Sequence, residues 1–139
     1  MDFRVAVRGF VVDSGNLLVL KRLSKEHMPG IWEPPGGRLN EGEDPFLGLK
    51  REVMEEAGLD VEIGDVMSVR YFTRQDGQKI LMLTFLCTPL SKEVRLSDEH
   101  SEFRWIDLNE DEGLDEFLGQ DGFYRKEVEI YRRLFDGRV

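Results

Sequence analysis

From Phe3 to Val12 the chain is rich in β-branched residues, and from Leu17 to Lys21 it is apolar again, with the turn cluster Asp13-Ser14-Gly15-Asn16 between the two runs. Two such runs around such a cluster predict a β-hairpin. Residues 23–31 read as a loop ending in Pro29-Gly30, and Trp32 to Pro35 as a short extended segment. The period then changes. Phe46, Leu49, Val53 and Ala57 recur at helical spacing and predict the core-facing stripe of a helix. Asp44 stands where an N-cap belongs, Pro45 suits the first helical position, and Gly58 suits the stop beyond the last turn. Residues 61–63 and 66–73 read as strands, Asp76-Gly77 as a turn, and Lys79 to Thr88 as a long apolar strand at the centre of a sheet. Glu102 to Ile106 reads as one more strand. Residues 121–135 return to helical period through Phe123, Val128, Tyr131, Leu134 and Phe135. Strands with one helix in the middle and another at the end predict an α/β fold, a mixed sheet between helices. No repeat or linker interrupts the pattern, so residues 1–139 are expected to form one domain.

Composition agrees and narrows the function. Apolar residues make up 40% and charged residues 34%, the balance of a globular chain rather than a disordered one. The net charge of −9 argues against nonspecific binding to polymeric nucleic acid or to an anionic membrane. The single cysteine, Cys87, excludes a disulfide framework and a zinc cage within one chain, and reads as a small buried apolar residue. The charges at positions 2, 4 and 8 do not suit a signal peptide, and no stretch has the apolar length of a membrane span, so a cytoplasmic location is expected.

The chemistry concentrates in the central helix. Glu52, Glu55 and Glu56 stand at i, i+3 and i+4 and share a helix face. Three adjacent carboxylates repel one another unless something positive sits among them, and Glu55 and Glu56 also lie in the last turn, where the macrodipole disfavours negative charge. A divalent cation held through oxygen ligands would supply that positive charge. A solvated acidic face is the plainer reading of the same residues. Gly36-Gly37 after Pro34-Pro35 allows a tight turn that brings backbone carbonyls near the helix, and Arg51 with Glu43 can tie that loop to it.

Residues 37–59 read GRLNEGEDPFLGLKREVMEEAGL. Their order is G, five residues, E, seven residues, R-E-aliphatic, one residue, E-E, one residue, G-aliphatic, filled by Gly37, Glu43, Arg51, Glu52, Val53, Glu55, Glu56, Gly58 and Leu59. This segment resembles the Nudix box at every fixed position. LLVLKR upstream, WEPPGG leading in and an acidic loop before Trp105 extend the resemblance over most of the chain. The resemblance implies a Nudix-type α/β/α sandwich and an enzyme that hydrolyses a nucleoside diphosphate linked to another moiety, with Mg²⁺ or Mn²⁺. It implies Glu52, Glu55, Glu56 and the carbonyl of Gly37 as metal ligands, Glu99 as a further ligand, and one of these glutamates as general base. Asp98 and Glu102 are alternatives to Glu99. Arg51 would orient the glutamates. Arg22 would meet the substrate phosphates, with Lys21 on the opposite face of its strand. His27 and His100 are expected at the solvent-exposed surface, His100 being the nearer to function.

For the substrate, the resemblance runs to the compact group that includes MutT, whose members cleave nucleoside triphosphates to monophosphate and pyrophosphate. Residues 60–88 lack the proline that some ADP-ribose families carry after the box, and Tyr71 lies too close to the box to match the tyrosine of dinucleoside polyphosphate enzymes. In MutT-like proteins an amide side chain after the last strand reads the base, which points here to Gln120 and its neighbour Asp121. Pro34 departs from the aromatic or aliphatic residue usual before Pro-Gly-Gly. The rivals are a Nudix enzyme for ADP-ribose or a nucleotide sugar, a noncatalytic Nudix-like ligand sensor, and a plain acidic interaction module. The expected partner is a small-molecule nucleotide, with monomer and homodimer both open.

Overall fold

A computed structural model describes residues 2–23 and 30–135, so His27 and most of the loop expected over residues 23–31 lie outside the described residues. Strands β1 (Arg4–Asp13) and β2 (Asn16–Arg22) form the expected hairpin, with Val12 opposite Leu17 and Asp13 opposite Asn16. Ser14 (φ 51°) and Gly15 (φ 79°) both turn left-handed, the backbone that a two-residue hairpin requires. Two short strands follow, β3 (Trp32–Glu33) beside β2 and β4 (Gly36–Arg38) beside β1. Helix α1 (Pro45–Ala57) has the predicted ends. The Asp44 side chain accepts from Phe46 N at 2.8 Å and Leu47 N at 3.2 Å, and Gly58 (φ 68°) donates its N–H to Met54 O at 3.0 Å.

Strand β5 (Val61–Thr73) is continuous where the sequence reads two pieces. Its register against β6 (Lys79–Pro89) shifts between Ile63 and Val66 and again between Val66 and Ser68, and these irregularities break the alternation on which the sequence reading relied. Strand β6 is the inner strand expected. It pairs antiparallel with β5 and parallel with β1, Arg4 to Val11 running beside Ile80 to Cys87. Strand β7 (His100–Asp107) pairs with β2. Helix α2 (Asp111–Leu118) was not legible as a helix, and α3 (Phe123–Phe135) closes the described chain.

The strand order β3-β2-β1-β6-β5, with β4 added beside β1 and β7 beside β2, makes one mixed sheet. Strand alternation sends side chains to its two faces. Val7, Val11, Leu18 and Leu20 pack with Leu49, Val53 and Ala57 of α1, whereas Phe10, Leu17 and Val19 pack with Leu114 and Leu118 of α2 and Val128 of α3. The result is the predicted α/β fold, a mixed sheet between helices. Cys87 is buried, as expected, and burial pushes its thiol up to about 12. Two stripe positions are not core. Phe46, in the first turn of α1, is 51% exposed and reaches the sheet only through its ring against Phe85; Leu134, near the end of α3, is also exposed. Gly48 and Glu56 occupy the covered face of α1 instead. No helix among the described residues is long and apolar enough to cross a membrane.

Candidate active site

The loop between β3 and β4 is anchored from below by β1. Gly9 N donates to Pro35 O at 2.9 Å, and Arg8 Nη1 donates to Pro34 O at 2.8 Å. From above, Gly36 N donates to Glu56 Oε1 at 2.8 Å. Gly37 faces Glu52 so closely that a Cβ at that position would lie 2.7 Å from Glu52 Oε2. A side chain at residue 37 would therefore displace the Glu52 carboxylate, and glycine lets the loop backbone sit against it.

The three helix glutamates have different partners in the metal-free chain. Arg51 binds Glu43 at 2.7 Å, Glu52 at 3.1 Å and Glu55 at 3.1 Å, so a guanidinium sits among these carboxylates. This corrects the expectation that only a divalent cation could relieve their repulsion: the chain supplies its own counter-charge, and Arg51 also ties the box loop to the helix through Glu43. Hydrogen bonds from Arg51 hold the Glu43 carboxyl down at about 2. Glu55 remains largely exposed. Glu52 is half-buried, and desolvation raises its carboxyl above the ordinary range against the pull of Arg51.

Glu56 points the other way. It is 5% exposed, and burial lifts its carboxyl to about 7 although Arg8 and the Gly36 N–H favour the charged form. Its neighbours are Glu99 and His100: ligand atoms of the three residues all lie within 4.8 Å of one another. This is the group among the described residues able to hold a metal ion. Two carboxylates suit a hard cation, and an imidazole nitrogen widens the choice toward Mn²⁺.

His100 is buried, not exposed as expected. Its burial depends on Glu33, whose carboxylate lies 3.0 Å from His100 Nε2, leaving Nδ1 buried without a partner. Glu33 also binds Arg22 Nη2 at 2.9 Å and Arg8 Nη2 at 3.4 Å. Burial by itself would raise its carboxyl, but Arg8, His100 and Arg22 together lower it to about 2. Glu33 and Arg8 were the functional candidates that the sequence reading missed. The available signal was a charge interrupting each apolar strand run, VAVRGFVV and WE.

Arg22 lines a groove of about 410 Å³ with Leu23, Asp98, Glu99 and His100. Its Nε and Nη2 both donate to Glu33 at 3.1 Å. Lys21 pairs instead with Glu102, which also binds Arg104, so Glu102 belongs to strand pairing rather than to this group. Gln120 and Asp121 occupy the exposed turn that leads into α3. Neither makes a side-chain hydrogen bond or ion pair to the carboxylates described above. Tyr124, on the first turn of α3, holds its ring 5.9 Å from the Arg8 guanidinium.

Comparison with known proteins agrees with this geometry. The family model described as NUDIX domain matches residues 2–126. A MutT-like protein of Streptomyces ambofaciens is 36% identical over 76% of this chain, and the chain spans 65% of that relative's length. An 8-oxo-dGTP diphosphatase of Buchnera aphidicola is 29% identical over 79% of this chain and 82% of its own. The crystal structure of a MutT protein from Methanosarcina mazei superposes with a TM-score of 0.82 at 26% identity, over 96% of each chain. The filled box, the sandwich and these matches together make the chain a member of the NUDIX family.

Proposed function

We propose that this chain is a hydrolase that cleaves the pyrophosphate linkage of a nucleoside diphosphate derivative, turning a nucleoside triphosphate into monophosphate and pyrophosphate with Mg²⁺ or Mn²⁺. The observation that carries the reading is the convergence of Glu56, Glu99 and His100 beside the Gly36-Gly37 loop, with Glu52 of α1 against the same loop. Glu56, Glu99, Glu52 and the Gly37 carbonyl would hold the cation, and Glu55 would complete the set from its exposed side. When bound, the cation would neutralise phosphate oxygens and lower the pKa of a water molecule. Glu52, raised by burial, and Glu99 are the two carboxylates suited to accept that water's proton. Arg51 holds Glu52 and Glu55 in place, and Arg22, fixed by Glu33 in the groove that Glu99 also lines, would meet a phosphate.

The test is a panel of nucleoside triphosphates, ADP-ribose and a nucleotide sugar, read as pyrophosphate or phosphate release. The panel includes 8-oxo-dGTP, since a relative bears the name of that activity. Triphosphates are expected to yield pyrophosphate, and Glu52→Gln and Glu56→Gln to lower kcat about 100-fold or more. Both variants turning over like the parent would overturn these roles.

A further inference from the structure

Glu33 is 3% exposed, and its carboxylate has more nitrogen partners than one ion pair supplies. Its Oε2 accepts from Arg22 Nε at 3.1 Å and lies 3.0 Å from His100 Nε2. Its Oε1 accepts from Arg22 Nη2 at 3.1 Å and lies 3.4 Å from Arg8 Nη2. Of these partners, Arg22 alone engages both oxygens, as a fork. Arg8 has a second hold of its own on Pro34 O. A buried ion pair adds little net stability over well-packed apolar residues. The fork is better explained by where it directs Arg22.

The sheet is irregular where that direction is set. Lys21 stands opposite Glu102, but Arg22 stands opposite His100, so the β2–β7 register passes over Ser101. A bulge of this kind re-aims the side chains beside it. Leu20 stands opposite Glu33 on β3, and Arg22, two residues on, shares its face. Arg22 and His100 therefore both reach Glu33. Leu23 N donates to Glu99 O at 2.8 Å, and Arg22, Glu99 and His100 line one groove. The Glu99 carboxylate has no ion pair with another described residue. A guanidinium released from Glu33 would meet that carboxylate in the same groove and pair with it. Such a pair would withdraw Arg22 from a phosphate and Glu99 from the cation.

We propose that Glu33 is a positioning residue for substrate binding: its fork fixes Arg22 in the groove to meet a phosphate of the substrate and holds it off Glu99. The assignment rests on the hydrolase reading above, and Glu33 itself touches no reacting atom. Glu33→Gln keeps the length of the side chain, but its amide nitrogen is a donor and turns hydrogens toward the Arg22 fork. What is lost is the direction of Arg22, while its charge and the volume at residue 33 are kept.

Glu33→Gln, Arg22→Ala and the double variant test it. Two quantities are read: KM and kcat for a nucleoside triphosphate, and, by calorimetry with Mg²⁺, Kd for its analogue with an imido bridge between the α and β phosphates. Each single variant is expected to raise KM and the analogue Kd about tenfold, with a smaller change in kcat. The double variant should be no worse than Arg22→Ala alone, because Glu33 acts through Arg22. A merely structural Glu33 would act through the fold, lower kcat as well and add its loss to that of Arg22→Ala. Additive losses, an unchanged KM and Kd in Glu33→Gln, or failure of the parent to bind the analogue overturn the assignment. Should Glu33→Gln not fold by circular dichroism, Arg22→Lys carries the test. It keeps the charge and loses the fork, so KM and Kd should rise as in Arg22→Ala, and parent values overturn the proposal. Analogue binding with non-additive losses, but no turnover of any triphosphate, keeps the positioning role and removes the hydrolase reading. Turnover with additive losses does the reverse.

Discussion

Glu56 keeps its proton up to about pH 7 because burial outweighs the help it receives from Arg8 and the Gly36 N–H. Its folded pKa lies above the unfolded value, so its contribution favours the fold at low pH and is lost as pH rises from about 4.5 through about 7. Glu33 has the opposite sign. Held at about 2, it favours the fold above its unfolded pKa and loses that contribution as pH falls from about 4.5 through about 2. From about pH 4.5 to about pH 7, where Glu56 alone of this pair changes its contribution, the metal-free protein should therefore melt at lower temperature as pH rises. Glu56→Gln should flatten the profile and recover on the order of 2–3 kcal/mol at about pH 8. Mn²⁺ should raise Tm more at about pH 8 than at about pH 5.5, because binding needs the carboxylate, and the gain should vanish in the variant. Calorimetry across this range checks both, and a pH-independent Tm for the parent would discard the account. At this scale the sequence located the acids but not their division of labour. Glu52, Glu55 and Glu56 share a helix face in any helix, yet which one becomes buried depends on Arg51 on one side and on the loop at Gly36 on the other. His100 was misplaced for a related reason: its partner, Glu33, lies on β3, and only the sheet brings β3 and β7 to opposite sides of β2.

The elements divide by how much of their stability is local. Helix α1 declares itself through Asp44 and Gly58, which take up free backbone groups at its two ends, and through Pro45, which has no N–H to satisfy, and so it was read to its ends. Helix α2 was not. Its N-cap, Glu110, makes no side-chain cap bond, Gly113 sits inside it, and its hold on the molecule comes from burial of Leu114 and Leu118 and from Arg125 reaching Asp111 and Asp115. Tertiary partners of this kind leave little trace in a local pattern. Two glycine substitutions separate the cases. A Cβ at Gly113 would stand 3.8 Å from Ile106 Cγ2, an ordinary contact, so Gly113→Ala should stabilise the protein by roughly 0.5–1 kcal/mol through helix propensity. A Cβ at Gly36 would run into the Val7 carbonyl oxygen and lie 2.8 Å from Arg8 Cα, both backbone atoms. Gly36→Ala should therefore destabilise by roughly 1–3 kcal/mol and disturb the bond to Glu56. Urea unfolding measures both, and equal midpoints for the two variants would contradict this account of the glycines.

For the whole molecule, strands with one helix in the middle and another at the end were enough to foresee a mixed sheet between helices. The order of strands was not foreseeable. Hairpins join neighbours in sequence, and β1–β2 and β5–β6 are such pairs. The pairing that joins these two hairpins into one sheet is β1 with β6, between Arg4–Val11 and Ile80–Cys87. A ribosome must therefore extrude residues through the end of β6 before the first strand finds its long-range neighbour, and until then an apolar ribbon waits without its mate. Refolding from urea should be slow relative to helical proteins of this length, and a chain stopped at Asp76 should stay open to protease, as pulse proteolysis would report. β1, the strand that anchors the Gly36-Gly37 loop, is thus also the one whose parallel seam stays open longest as the polypeptide emerges.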